Sequence, residues 1–295
     1  MSDIPLERGA VSVSTRRVGT RLPARVIVAL ICWLVIAIMA WPLVMSFLAS
    51  FKPEAEVTAV PPDYLPHSFS LQSYLKVYGY QAGLPTYLFN SFMVAFLTIV
   101  FCLALAVPAG YGLARFHVPF KEVLFLVLLA SMMIPYQALL TPLFLMFTKL
   151  GLTNNHVGLA IIHTILQLPF SVYVMRNAFE GIPRELEEAA IVDGCSPLQI
   201  LGRIFMPLAM PGMVTVSLFA FIMSWNEFLA ALIFMSKETA FTLPVLLTGV
   251  IDSFYGSVSW GPLQAGVVVS VIPCIAIYFL LQRYYVSGFL SGAVK

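Results

Sequence analysis

Five of the fourteen acidic residues in this chain sit between positions 180 and 193: Glu180, Glu185, Glu187, Glu188 and Asp193. The residues around that stretch are membrane-hydrophobic. A charged side chain at mid-bilayer costs roughly 2.5–3.5 kcal/mol on insertion scales, so these carboxylates belong in water. The chemistry they offer is docking: a structured acidic surface on a lipid-embedded protein is there for something soluble to meet. Enzymatic constellations are missing. His67, His117, His156 and His163 are scattered, with no two of them four residues apart, so there is no HExxH zinc site. No GxSxG elbow occurs, and Gly256 to Gly261 only approximates one. No lysine follows a glycine, which excludes a P-loop. Any nucleotide that drives this protein is bound by another polypeptide.

The acids must be held by local structure, and the spacing predicts two short helices around a fixed bend. Pro183 suits a first helical position, where its missing N–H costs nothing. Arg184 and Glu188 are spaced i,i+4, and Ala189 and Ala190 are strong helix formers. Gly194 can take the left-handed conformation that closes a helix. Ser196-Pro197-Leu198-Gln199 then reads as a new start: Ser196 as N-cap, Pro197 first, Gln199 completing a capping box. Leu198, Leu201, Ile204 and Phe205 form an apolar stripe before Pro207 ends the run.

With 60% hydrophobic and 10% charged residues, the chain reads as an all-α polytopic membrane protein rather than a soluble domain. Six spans are expected, near 26–50, 87–113, 123–147, 156–176, 208–234 and 264–284, each long enough for roughly 30 Å of hydrocarbon. Residues 1–25 read as a cytoplasmic tail and 26–295 as one membrane domain. Of the 16 Lys and Arg, only Lys52, Lys76, Lys149 and Lys237 fall on one side of that topology. The remaining twelve (16 − 4) place both termini and the acidic knuckle in the cytoplasm by the positive-inside rule. The segment 52–86 is too short for a domain and long enough for a structured cap. Cys32, Cys102, Cys195 and Cys274 suggest no disulfide framework.

Polar residues are rare in the spans. Glu227, within Ser224-Trp225-Asn226-Glu227-Phe228, either lines a translocation path or is satisfied by a neighbouring helix. His163 reads as an interhelical donor. Pro42, Pro108, Pro135, Pro169, Pro211 and Pro273 interrupt the spans, and Ala106, Ala109, Gly110 and Gly112 permit close helix approach. The aromatics Trp41, Trp225, Trp260, Tyr64, Tyr136 and Tyr278 can stack on a sugar ring or form interfacial belts. A hydroxyl-rich solute needs many hydrogen bonds, so the path is expected at an interface with a second subunit. On this side Asn90, Ser91, Gln137, Asn226 and Glu227 would line it.

Glu188-Ala189-Ala190, three residues, Gly194, nine residues, then Ile204-x-Met206-Pro207 resembles the EAA loop of permease subunits from bacterial ATP-binding-cassette importers. Met206 stands where that pattern has Leu. Asn90-Ser91, Tyr111-Gly112-Leu113-Ala114-Arg115, Ile134-Pro135, Ser224 to Phe228 and the ending Gly292-Ala293-Val294-Lys295 look like the carbohydrate branch, similar to the shorter, six-span maltose-type permease. The resemblance covers about residues 25 to 295. It implies a coupling-helix loop over about 180–207, with Glu187, Glu188, Ala189, Ala190, Asp193, Gly194 and Pro207 as its ATPase-coupling residues. It also implies an inner-membrane transport subunit with no catalytic site, no metal and no cofactor of its own. The partners would be a second homologous permease, two copies of a cytoplasmic ATPase carrying ATP and Mg, an extracytoplasmic solute-binding protein and membrane lipid, with no nucleic acid. The solute would be a sugar or sugar derivative. A non-sugar solute such as a polyol phosphate, or a gradient-driven carrier, are the alternatives.

Overall fold

A computed structural model describes residues 22–293 apart from 60, 62 and 253–258. The expected N-terminal tail therefore lies outside the described residues up to position 21. So do Gly256 and the last two residues of the chain. Two compact units meet at Met45–Ser46. The first is an apolar helix, α1 (Leu22–Ser50, running a few residues past that boundary), with Pro42 inside it.

The second unit begins with a small cap between spans, α2 (Glu54–Val57) and α3 (Gln72–Tyr78). Ser50 Oγ lies 2.8 Å from the Tyr74 hydroxyl, Glu56 accepts from His67 N and Ser68 Oγ, and Tyr80 donates to Gly249 O. Lys76 is hydrogen-bonded to Glu54 and holds that carboxyl below its ordinary range. The segment is a structured cap, as its length suggested.

The spans then follow in order: α4 (Leu84–Arg115), α5 (Lys121–Ser131) with α6 (Tyr136–Lys149), α7 (His156–Glu180), α8 (Arg184–Val192), α9 (Pro197–Ile200), α10 (Met206–Leu208), α11 (Met210–Asn226), α12 (Leu229–Phe234), α13 (Leu243–Asp252) and α14 (Trp260–Ala293). Among the described residues all regular structure is helical. Four helices are long and apolar enough to cross a membrane, and the number rises to six when each of two bent pairs is taken as one span.

One of those bent pairs interrupts a span that apolarity suggests is continuous, and the other falls where the knuckle gives way to span five, as expected. α5 and α6 meet at 97° across Met132–Pro135, where proline pushes the preceding residue out of the helical region. The run Pro197–Leu208 meets α11 at 76°, just before Pro211. Pro108, Pro169 and Pro273 instead sit inside continuous helices, so proline alone does not mark a break. The far end of span five differs too. α11 stops at Asn226, Glu227 is extended (φ −70, ψ 123), and α12 starts afresh.

α4 packs along α7, and α11 lies against both. Small residues set the spacing. A Cβ on Gly110 would come 2.7 Å from Met175 Cβ and 2.8 Å from Arg176 N, whereas one on Gly112 meets nothing within 4 Å. Of the two glycines expected to admit a neighbouring helix, only Gly110 does so. Trp225, a candidate for stacking on a sugar ring, is instead in the core. It donates to Ser270 O of α14 at 3.1 Å and stacks with Phe221 at 5.4 Å.

Gly110→Ala should therefore destabilise the α4–α7 pair by about 1–3 kcal/mol, the usual cost of overpacking. Gly112→Ala should be neutral or stabilising by up to about 1 kcal/mol through helix propensity. Thermal unfolding midpoints of the two variants in the same detergent check this, and equal midpoints would contradict it.

Candidate functional site

The acidic knuckle forms the local structure its residues specify. α8 runs from Arg184 to Val192, with Pro183 one position earlier than expected, at the N-cap (φ −57, ψ 140). Gly194 has φ +78 and closes the helix: its N–H donates to Ile191 O, and Cys195 N–H donates to Ala190 O, both at 3.0 Å. A left-handed glycine with these two bonds is a helix stop. Ser196 then starts α9 with a complete capping box, its Oγ accepting from Gln199 N and its own N–H donating to Gln199 Oε1.

Beyond Ile200 the helix widens into a π turn, Leu201–Phe205, before α10. Pro207 explains the widening, because it donates no hydrogen bond and its ring presses on the carbonyl four residues back. The wider turn also moves the buried stripe. Ile200, Leu201 and Phe205 are buried with Ala190, Ile204 is half-buried, and Leu198 points outward. The expected stripe from Leu198 is therefore displaced toward Ile200.

This buried face joins the ends of two spans. Ala190, Ile200, Leu201 and Phe205 share one core with Tyr111 and Ala114 of α4 and with Val172, Met175 and Phe179 of α7. Arg115, at the end of α4, is the clamp. Its side chain is 3% exposed, it lies 3.6 Å from the Glu187 carboxylate, and it sits over the Phe205 ring at 4.7 Å. It also donates to the carbonyls of Phe179 and Ile182. Arg176 of α7 does similar work beside it, bonding Glu180 and Glu122 at 2.7–3.0 Å and lying 4.0 Å from the Phe125 centroid. In sequence Arg115 registered only as one more positive charge, at the close of a motif.

The opposite face of the knuckle is open. Glu185, Glu188, Ala189, Asp193, Gly194 and Pro207 are exposed, as are Ile191, Val192 (87%) and Leu198 (81%). Apolar residues ringed by carboxylates and left uncovered fit a protein partner with basic groups. Of the acids, Glu187 turns inward to Arg115 while Glu188 remains available.

A second feature lies between the broken spans. A cavity of about 650 Å³ is lined by the α5–α6 bend (Ser131 to Gln137), by Gln167 on α7 and by Met223, Asn226 and Glu227 at the end of α11. Three of the five expected path residues, Gln137, Asn226 and Glu227, are brought together there. Asn90 and Ser91 are not among its lining. They are buried at the other end of α4, where Asn90 Nδ2 donates to Thr239 O and Phe241 O at 2.9 Å and Ser91 Oγ accepts from Leu243 N at 2.8 Å. Gln167 was missed by the sequence reading. Its position one turn after His163 on a span with few polar residues was the available signal. Glu227 is buried, accepting from Ala230 N (2.7 Å) and Ala231 N (3.0 Å) and facing His163 Nε2 at 3.2 Å.

Comparison with known proteins adds a family. Residues 106–290 match the model of the binding-protein-dependent transport system inner membrane component. The chain is similar to the permease protein of a sulfoquinovosyl glycerol transport system from Agrobacterium fabrum, 34% identical over 86% of this chain and 88% of that one. It is 32% identical to the permease protein of a trehalose transport system from Mycobacterium tuberculosis, over 89% and 94%. Its structure is similar to a chain in the crystal structure of a bacterial ABC transporter involved in import of the acidic polysaccharide alginate. That match has a TM-score of 0.78 and 27% identity, and covers 88% of this chain and 96% of the other.

The clamp generates a specific expectation. Arg115→Gln should free the knuckle from α4, with a cost of about 3–5 kcal/mol for breaking a buried charge pair. Glu187→Gln should cost less, since Glu187 is the more exposed partner. Amide exchange across residues 179–205 is the measurement. Protection should fall in Arg115→Gln first, and unchanged protection would show that the clamp does not hold the knuckle.

Proposed function

This chain belongs to the family of binding-protein-dependent transport system inner membrane components, and on that footing we propose that it is the permease subunit of an ATP-driven importer for a sugar or sugar derivative. The observation that carries the reading is the knuckle. One face is locked by Arg115 under α4 and α7, and the other is uncovered, apolar and acidic. A partner bound to the open face would therefore press on α7, which reaches the cavity with Gln167, and on α4 packed along it.

In this reading the partner is a cytoplasmic ATPase present in two copies, and ATP and Mg are bound there and not by this chain. A second homologous permease completes the path, and an external solute-binding protein delivers the solute. Charge supports the orientation. Arg115, Lys121, Arg176, Arg184 and Arg203 lie in or near the knuckle end of the bundle, while Lys76, Lys149 and Lys237 lie at the ends or loops opposite. Closure of the ATPase pair would push the knuckle and rock the spans as rigid bodies, with the bends at Met132–Pro135 and Asn226–Leu229 close to the solute.

The cavity supports a hydroxylated, uncharged solute. Among the described residues, the amides of Gln137 and Gln167 and the Tyr136 hydroxyl carry no internal hydrogen bond, and Asn226 Nδ2 bonds Ile222 O at 2.7 Å, which leaves its Oδ1 open. No Lys or Arg lines the cavity among those residues, so this side offers an anion no counter-charge. The relatives and the structural neighbour named above serve sulfoquinovosyl glycerol, trehalose and the acidic polysaccharide alginate, which supports a sugar-like solute but not its lack of charge; that part of the reading rests on the cavity lining alone.

Two measurements test this reading. Gly194→Val places a β-branched residue at φ +78, a strained conformation. It should lower ATP-dependent uptake about 10-fold or more while membrane insertion persists, if the strain is of order 1–3 kcal/mol at the docking bend. Normal uptake would remove the knuckle from the mechanism, and so would failure of Cys195 to cross-link to any cysteine placed across the ATPase cleft. Gln167→Ala with Asn226→Ala should cut uptake roughly 5- to 50-fold, the loss of two hydrogen bonds, while ATP hydrolysis stays responsive to the binding protein. Unchanged uptake would place the solute elsewhere.

A further inference from the structure

A carboxylate that lines a solute cavity is ordinarily read as a solute ligand, but the geometry around Glu227 points elsewhere. Its oxygens already take the N–H groups of Ala230 and Ala231, at the start of α12, and lie 3.2 Å from His163 Nε2. Three of about four acceptor positions are therefore used internally. His163 is fully buried on α7, and its Nδ1 lies 2.8 Å from Ser224 Oγ of α11. Thr98 of α4 approaches the same Ser224 Oγ at 3.5 Å. One chain of polar contacts thus ties α4, α7, α11 and α12 at the point where span five breaks.

The neighbours of this chain of contacts are the amides that do reach the cavity. Asn226 precedes Glu227, and Gln167 lies one helical turn after His163 on the same face of α7. We propose that Glu227 and His163 are a positioning pair for solute transfer. They fix the broken end of α11 against α7 so that Asn226 and Gln167 are held in register as the solute-facing groups, and Glu227 itself does not bind the solute. The pair explains why span five breaks without proline or glycine: the carboxylate supplies the cap that α12 needs. It also explains how a carboxylate is kept at membrane depth, since each formal lone pair in use meets a fixed donor.

The proposal rests on the cavity being the solute path, and the test separates the two. The assembled transporter, with its ATPase and binding protein, is studied in membrane vesicles as wild type, Glu227→Gln, His163→Gln, the double variant and Asn226→Ala. The two α12 N–H groups bond different oxygens of Glu227, and glutamine sets an NH2 donor in place of one of them, so Glu227→Gln should lower uptake about 10-fold, His163→Gln comparably, and the double variant no more than about 2-fold further. Multiplying losses in the double variant would overturn the pairing. Gln137→Cys, in a background without the four native cysteines, then reports the cavity's charge through its rates of modification by a trimethylammonium and a sulfonate methanethiosulfonate. The ratio of the two rates should change less than about 3-fold in Glu227→Gln while both rates shift together. A fall of about 10-fold or more would show a charge open to the cavity, and the proposal would fail. If Glu227→Gln does not co-purify with the ATPase, the residue serves assembly and the proposal likewise fails. Normal uptake by Asn226→Ala, with the Glu227 and His163 results as expected, would sink the path reading and leave the pair standing. Impaired Asn226→Ala beside normal Glu227→Gln would do the reverse.

Discussion

Backbone N–H and C=O groups at membrane depth have no water to bond, so every interruption of a span must be repaid inside the protein. Among the described residues two interruptions open onto the cavity, and each is handled differently. At Met132–Pro135 the chain turns through 97° beside the cavity, and the N–H groups of Met132, Met133 and Ile134 are satisfied by tight local bonds to the carbonyls of Leu129, Ala130 and Ser131 at 3.0–3.2 Å. At Glu227 the repair is a side chain, whose two oxygens take the N–H groups of Ala230 and Ala231 in the first turn of α12. The cavity sits where those two interruptions meet: irregular backbone and the side chains of Gln137, Gln167, Asn226 and Glu227 come together between α5–α6, α7 and α11.

The same economy governs the knuckle. It is a water-facing element whose inner side is assembled from apolar groups at the ends of α4 and α7, and the charge that clamps it, Arg115, is met by a carboxylate, two carbonyls and an aromatic face. A buried guanidinium left with fewer partners would cost more than it contributes. Because the clamp sits on α4, and α4 packs along α7 with Gly110 against Met175, a displacement of the knuckle has no soft layer to dissipate in before it reaches the middle of the spans.

Some of this was legible residue by residue. Gly194, Ser196 and Gln199 formed the stop and the capping box that their types specify, because both devices are closed within five or six residues. Gly110 and Gly112 looked alike in sequence, but only Gly110 faces another helix. Asn90 and Ser91 looked like Asn226, polar groups in an apolar span, yet they hold the 239–243 backbone and not the cavity. The polar residues Ser224, Asn226 and Glu227 were visible in span five, but no proline or glycine lies between Phe221 and Phe234 to mark the helix break at Glu227.

The all-helical membrane class, the number of spans when bent pairs are taken as one, and the knuckle with its bend were all readable along the chain, because they depend on hydrophobic run length and on bonds between residues a few positions apart. How the helices pack settled which face of the knuckle is buried, that Arg115 clamps it, and which polar side chains meet in one cavity. Those outcomes rest on partners 60 or more positions apart, such as Arg115 with Phe179 and His163 with Glu227. Such pairings arise from how the helices pack, and no local spacing in the chain encodes them.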